Sequence, residues 1–160
     1  MTREQFTAYV VESQKALRRF LTALCCGDST LADDIAQETY MKAYLSADSF
    51  RDSSKFQAWV NRIAYNTYIS HMRSARKTVG TEHAECIQAD EAERACRYQE
   101  LYAALARLSG KERTAILLFY LEGYQVKEIS EITGASHDAV KQHLSRGRYH
   151  LKNLLCKTTI

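Results

Sequence analysis

Proline is absent from this chain, and glycine occurs only six times in 160 residues. A sandwich or barrel draws heavily on both for its turns, so their scarcity points towards helices. No apolar run approaches the roughly 18 uninterrupted residues of a membrane span. The opening MTREQFTAYV is charged early and holds no apolar signal segment, which predicts a cytoplasmic protein without membrane insertion. Five cysteines (Cys25, Cys26, Cys86, Cys96 and Cys156) make an odd set without framework spacing, which argues against a secreted disulfide scaffold. Gly-rich phosphate loops and nucleophile motifs are missing. His83, Cys86 and Cys96 match no structural zinc pattern in spacing or ligand number. The chain is therefore expected to carry no catalytic residue, no metal and no cofactor, and to be no enzyme.

What is present is a folded composition, 46% hydrophobic and 26% charged, with a net charge of +3 that is unevenly spread. Residues 1–77 hold eleven Lys/Arg against eight Asp/Glu, residues 78–97 two against five, and residues 98–160 nine against six. Two basic blocks thus flank an acidic segment. Within them, 62–77 has four basic residues and no acid, and 139–160 has five and no acid. Two positive patches suit two contacts with a polyanion; solvated helix faces are the bland alternative.

Apolar residues recur at helical spacing almost throughout. Phe6, Tyr9, Val10, Leu17, Phe20, Leu21 and Leu24 form one stripe that ends at Gly27. Asp28, Ser29 or Thr30 can cap a second helix with Leu31, Ile35, Thr39, Ala43 and Tyr44 on its inner face. A third helix starts near Phe56 and carries Trp59, Val60, Ile63, Ala64, Ile69 and Met72. Residues 78–97 lose that periodicity and read as a linker that turns helical near Asp90. In the second block, Ser109 and Glu112 have capping-box spacing, and the apolar run 115–121 stops at Gly123. Val126, Ile129 and Ile132 then share a face, Gly134 interrupts, and Ser136 can cap a last helix: a helix-turn-helix pattern. The expected architecture is all-α, two small helical domains (1–77 and 98–160) joined by the linker 78–97.

Projected at about 100° per residue, the last helix gathers Val140, Leu144, Gly147, Leu151 and Leu154 on its packing side. Asp138, Lys141, Gln142, Ser145, Arg146 and Tyr149 face outward. Arg can bond guanine bidentately, Gln can bond adenine, and Lys and Ser suit base edges or phosphates. The N–H groups capped by Ser136 can bond a phosphate. This is the chemistry of a major-groove reader.

The segment from LSGKERTAILLFYLEGYQ through VKEISEITGASHDAVKQHLSRGRYHLKNLL resembles region 4 of bacterial sigma factors, which reads the −35 promoter element. ADDIAQETYMKAYLSADSF resembles region 2.2, and FRDSSKFQAWVNRIAYNTYISHMRSARK resembles regions 2.3 and 2.4. With two modules and a short linker, the chain is similar to the extracytoplasmic-function (ECF) group of the sigma-70 family. It departs from that pattern at Ser109, where proline is usual, and at His71, where an acid is common.

The resemblance implies that Asp33, Asp34, Gln37 and Glu38 dock on core RNA polymerase. It implies that Arg51, Lys55, Arg62, Asn66, Arg73, Arg76 and Lys77 serve −10 recognition and melting. It further implies that Ser136, Asp138, Lys141, Gln142, Ser145, Arg146, Arg148 and Lys152 contact the −35 element. Promoter DNA, duplex and melted, joins core polymerase as an expected partner, and an anti-sigma factor is a candidate third. Tyr65 and Tyr68 can stack on unpaired bases. Trp59 falls in the apolar stripe and reads as core, as do Cys25 and Cys26. Two other readings stand beside this one: a stand-alone helix-turn-helix regulator that dimerises through its N-terminal helices, and a helical adapter. The region 2-like residues, needless in a simple repressor, favour the sigma factor.

Overall fold

Thr2 starts the first helix. Its hydroxyl accepts from the Gln5 N–H at 3.2 Å, while the Gln5 amide oxygen accepts from the Thr2 N–H at 3.0 Å. α1 (Arg3–Leu24) ends where the chain turns left-handed at Cys26, φ 56°, and Gly27, φ 92°. Asp28 then accepts from the Leu31 N–H at 3.1 Å and caps α2 (Ser29–Leu45). Two short 3₁₀ turns, Ala47–Ser49 and Ser53–Lys55, lead into α3 (Phe56–Val79). The second block comprises α4 (Ala92–Arg107), α5 (Gly110–Ile116), α6 (Val126–Thr133) and α7 (His137–Cys156). This computed structural model describes residues 1–79 and 92–156, and no strand occurs among them. His83, Cys86 and most of the expected linker lie outside the described residues, as do the side chains of Arg76, Lys77 and Cys96.

The predicted stripes are largely where the apolar spacing puts them. Leu17, Phe20, Leu21 and Leu24 of α1, Ile35 of α2 and Val60 of α3 are wholly buried. Each such side chain contributes roughly 1.5–3 kcal/mol by leaving water. Tyr44 is the exception: it is 53% exposed, its ring edge-on to Phe6 at 5.4 Å. Trp59 stacks on Phe50 at 4.5 Å and packs against the core. Cys25 and Cys26 are buried, and burial pushes the Cys25 thiol up to about 12.

In the second block Ser109 caps α5 through the Glu112 N–H at 3.2 Å. The capping box is only half made, because the Glu112 carboxylate turns away to His150 of α7 at 3.1 Å. Beyond Ile116 the helix widens into one π-type turn over Leu117–Leu121, where the Glu122 N–H bonds the Leu117 carbonyl at 3.2 Å. Gly134, φ 77°, supplies the left-handed residue that ends α6. The Ser136 hydroxyl then accepts from the Ala139 N–H at 3.1 Å and opens α7. Val140, Leu144 and Gly147 are the buried side of α7. A Cβ on Gly147 would lie 2.7 Å from Ile116 Cγ1, so this residue lets α7 close on α5.

The two blocks pack on each other and share one apolar cluster, from Phe6 to Leu144. Arg113 of α5 is the main polar joint. Its guanidinium donates to the carbonyls of Leu105, Ala106 and Leu108 at 2.8–3.3 Å within its own block. It also donates across the seam to the Leu24 carbonyl at 3.3 Å and the Tyr68 hydroxyl at 3.0 Å. Nearby, the Asn61 amide donates to the Tyr124 hydroxyl at 3.1 Å. Arg19 faces Glu122 at 3.6 Å, beyond hydrogen-bond range, and the Glu122 carboxylate is only 5% exposed. Burial pushes the pKa of Glu122 above its ordinary 4.5, with Arg19 opposing.

Two predictions follow from this packing. Gly147→Ala must displace Ile116, at a cost of about 1–3 kcal/mol, and is expected to lower the thermal midpoint while leaving the helical circular-dichroism spectrum intact; an unchanged midpoint contradicts the close approach. Glu122 favours the folded state fully below its ordinary pKa, and that contribution is lost as pH rises through the raised value. Glu122→Gln is therefore expected to raise the midpoint over the wild type more at pH 7 than at pH 4.

Candidate nucleic-acid interface

The last helix presents one polar face. Asp138, Lys141, Gln142, Ser145, Arg146 and Lys152 are all exposed, as are Ser136 at the start of α7 and Arg148 at one edge of the face. The opposite side of α7 is held by Val140 and Leu144, each 1% exposed, so the polar face cannot turn inward. Tyr149 lies on the same outer face, 65% exposed, its ring edge-on to His150. Arg148 departs from the others in folding back along the helix, its Nε donating to the Leu144 carbonyl at 3.2 Å. The helix-turn-helix thus offers amide, guanidinium, ammonium and hydroxyl groups on a rigid cylinder that fits a major groove.

α3 carries a second polar stripe. Arg62, Asn66 and Arg73 fall within about 40° of one another on the helix projection, and all three are exposed. Arg51 and Lys55 are exposed on the loop before α3. That loop is ordered by Asp52, which accepts from the Ser54 N–H at 3.1 Å and from the Ser54 hydroxyl at 2.6 Å. The Ser54 hydroxyl, first, holds the Asp52 carboxyl below its ordinary range. Tyr65 and Tyr68 do not stand ready to stack. They are 9% and 4% exposed, covered by the second block. Tyr65 forms one wall of a cleft of about 320 Å3, faced by Lys111, Thr133, Gly134 and His143. Burial and then Lys111 press the His143 pKa below its usual value, which favours the neutral ring.

The acidic group on α2 divides in two. Asp34 and Gln37 are exposed, whereas Asp33 accepts from Arg18 of α1 at 3.0–3.1 Å. Glu38 has a partner for each oxygen, Lys42 at 2.8 Å and His71 of α3 at 2.7 Å. The hydrogen bond from Lys42, then that from His71, holds the Glu38 carboxyl below its ordinary pKa. Sequence reasoning missed what stands beside these acids: Met41, Tyr44 and Leu45 are 67%, 53% and 80% exposed. Residues 34, 37, 41, 44 and 45 follow one another at helical spacing, so α2 shows an acidic and apolar face that is largely open, touched by Phe6 of α1 at Tyr44. The signal was legible in part, because Met41 and Leu45 fall outside the stripe made by Ile35, Thr39 and Ala43.

Comparison with known proteins finds two family models along the chain. Residues 10–78 match the family model of Sigma-70 region 2, and residues 98–151 that of Sigma-70, region 4. The chain is 29% identical over 150 residues to the ECF RNA polymerase sigma factor EcfG of Rhodopseudomonas palustris, covering 91% of this chain and 82% of that one. It is 32% identical over 143 residues to the ECF RNA polymerase sigma factor SigM of Bacillus subtilis, covering 85% and 86%. Among solved structures, the sigma factor RpoE in complex with the anti-sigma factor NepR from Bartonella quintana superposes with a TM-score of 0.76 at 29% identity, covering 95% and 97%. CnrH in complex with the cytosolic domain of CnrY superposes with a TM-score of 0.74 at 24% identity, a likeness of fold. The two family models and these relatives define a transcription initiation subunit. The chain belongs to the ECF sigma factors of the sigma-70 family. No helix among the described residues is long and apolar enough to cross a membrane.

Gln142 and Arg146 lie one turn apart on the outer face of α7. Alanine at either is expected to relax preference at one or two −35 positions at roughly 1–3 kcal/mol each. Lys152→Ala is expected to weaken all sequences alike and lower the salt slope by about one unit. Selection from a randomised promoter library reads both effects. Val140→Asp, which buries a charge, is the unfolding control.

Proposed function

We propose that this sigma factor divides promoter recognition between its two blocks, residues 1–77 acting on core polymerase and the −10 element and residues 98–160 on the −35 element. The observation that carries the reading is the polar face of α7, whose eight candidate residues are all exposed while its apolar side is locked into the helix-turn-helix. Ser136 and the first turn of α7 hold a phosphate, and Asp138, Lys141, Gln142, Ser145 and Arg146 face base edges. Arg148 and Lys152 meet the backbone further along. On the other block, Arg62, Asn66 and Arg73, with Arg76, Lys77, Arg51 and Lys55, follow the backbone of the melted strand. Strand opening then needs no catalytic group, since binding of the unpaired strand shifts the duplex equilibrium. The chain acts as a subunit and not as an enzyme, in the cytoplasm, without metal or cofactor.

Docking on core polymerase falls to α2. Asp34, Gln37 and Glu38, with Asp33 at the edge, offer acceptors to a basic surface. Met41, Tyr44 and Leu45 supply the apolar centre that a stable interface needs. An anti-sigma factor is a further partner, supported by the likeness to RpoE bound to NepR.

Co-purification with bacterial core polymerase, followed by transcription from a promoter library, tests this reading. Each block alone binds DNA weakly, and polymerase raises affinity by fixing their spacing. Specific binding by the free chain as tight as by the holoenzyme, with no effect of core polymerase, contradicts it and favours the stand-alone regulator. Asp34→Lys with Glu38→Lys is expected to weaken polymerase binding without unfolding the chain.

A further inference from the structure

On the packing side of α7 lies a cleft lined by none of the side chains proposed to meet promoter or polymerase. It is the space of about 320 Å3 between Tyr65 of α3 and the turn of the helix-turn-helix. That volume has room for about ten waters and falls at the small end of the range of small-molecule sites. Its floor is apolar: Ala115, Ile129 and Val140 are at most 3% exposed. No carboxylate lines it.

The polar groups of the cleft sort into committed and free. The Thr114 hydroxyl donates to the Gly110 carbonyl at 2.7 Å, and the Thr133 hydroxyl to the Ile129 carbonyl at 2.8 Å. The Tyr65 hydroxyl, the Lys111 ammonium and the His143 ring have no hydrogen-bond or ion-pair partner among the described residues. Burial raises the Tyr65 pKa, so its hydroxyl keeps its proton and donates. Burial and then Lys111 press the His143 pKa down, so at neutral pH the ring is uncharged and one nitrogen donates. Of the other charges that act on His143, Glu112 is bonded to His150, and Arg146 stands on the outer face of α7. The cleft therefore offers one full cation and two neutral donors above an apolar floor. A single negative charge balances that set, whereas a double one brings a charge into the cleft without a partner.

We propose that this cleft is a binding site for a small organic carboxylate, its charged end between Lys111, His143 and the Tyr65 hydroxyl and its apolar body on Ala115, Ile129 and Val140. The chain then has a small-molecule input separate from its promoter and polymerase faces. Because Tyr65 and the helix-turn-helix come from different blocks, an occupant bridges them and stabilises the folded chain.

The test uses the full chain, with benzoate, cinnamate and octanoate as probes. Each is paired with its uncharged amide, and benzoate also with phenyl phosphate as the doubly charged analogue. Titration with at least one acid is expected to move the backbone amide resonances of Gly134, Ala135 and His143, with a dissociation constant of about a millimolar or tighter. Its amide is expected to bind at least tenfold more weakly. Lys111→Gln, at an exposed position, is expected to fold as the wild type and lose at least tenfold in affinity. Tyr65→Phe keeps the ring and is expected to lose roughly fivefold. Lys127→Gln, on the opposite side of α6, is expected to bind as the wild type. A saturating acid is expected to raise the thermal midpoint of the wild type by several degrees and that of Lys111→Gln by less. Resonances of the cleft that no acid moves overturn the site, as does an affinity that Lys111→Gln leaves unchanged. Equal losses in Lys111→Gln and Lys127→Gln overturn it too, since they report attraction to the basic surface in general. An amide that binds as tightly as its acid, or phenyl phosphate that outbinds benzoate, overturns the carboxylate as its ligand.

Discussion

The guanidinium of Arg113 is the point on which the arrangement of the molecule turns. Five acceptors surround it, and four of them are main-chain carbonyls near the C-terminal ends of α1 and α4. Carbonyls at such ends have no partner in their own helix, and a helix C-terminus carries partial negative charge, so one planar cation satisfies two helix ends together. The fifth acceptor, the Tyr68 hydroxyl, brings in α3. An arginine suits this place better than a lysine because its donors are fixed in a plane and point several ways. Removing it would take a donor from each of these carbonyls, of which that of Leu105 keeps the Leu108 N–H, and an unpaired polar group at the centre of the molecule is expensive.

Around that joint the apolar cluster runs without interruption from one block to the other. The seam is also where the less favourable contacts gather: a carboxylate at Glu122 buried beyond hydrogen-bond reach of Arg19, and a cleft beside Tyr65. An interface of this kind, apolar at its centre and imperfect in its polar pairing, is suited to being given up when larger surfaces compete for its parts.

The helices and their inward faces were legible because period-3.6 spacing, a cap among Asp28, Ser29 and Thr30, caps at Ser109 and Ser136, and the break at Gly134 all agreed. The outer face of α7 was legible for the same reason: once the packing side is known, the rest follows by geometry. That Tyr65 and Tyr68 are covered was not legible, since spacing on one helix says nothing about a second block that packs on it. Tyr44 and Glu112 show the same limit. A tyrosine's ring is apolar enough to read as core, and a glutamate at capping-box spacing has no means in the sequence of announcing that His150 lies nearer. Arg113 gave no signal at all, for an arginine in a helix reads as solvated unless its acceptors, drawn from α1, α3 and the end of α4, are known.

The end of α1 has a chemical consequence of its own. With its thiol held near 12, Cys25 exists as thiolate in only about one molecule in 10^5 at neutral pH. Peroxides and electrophiles attack the thiolate, so the folded chain is blind to them at this position. A cysteine here packs as a small apolar group, its thiolate disfavoured first by burial and then by the neighbouring Asp28 and Cys26.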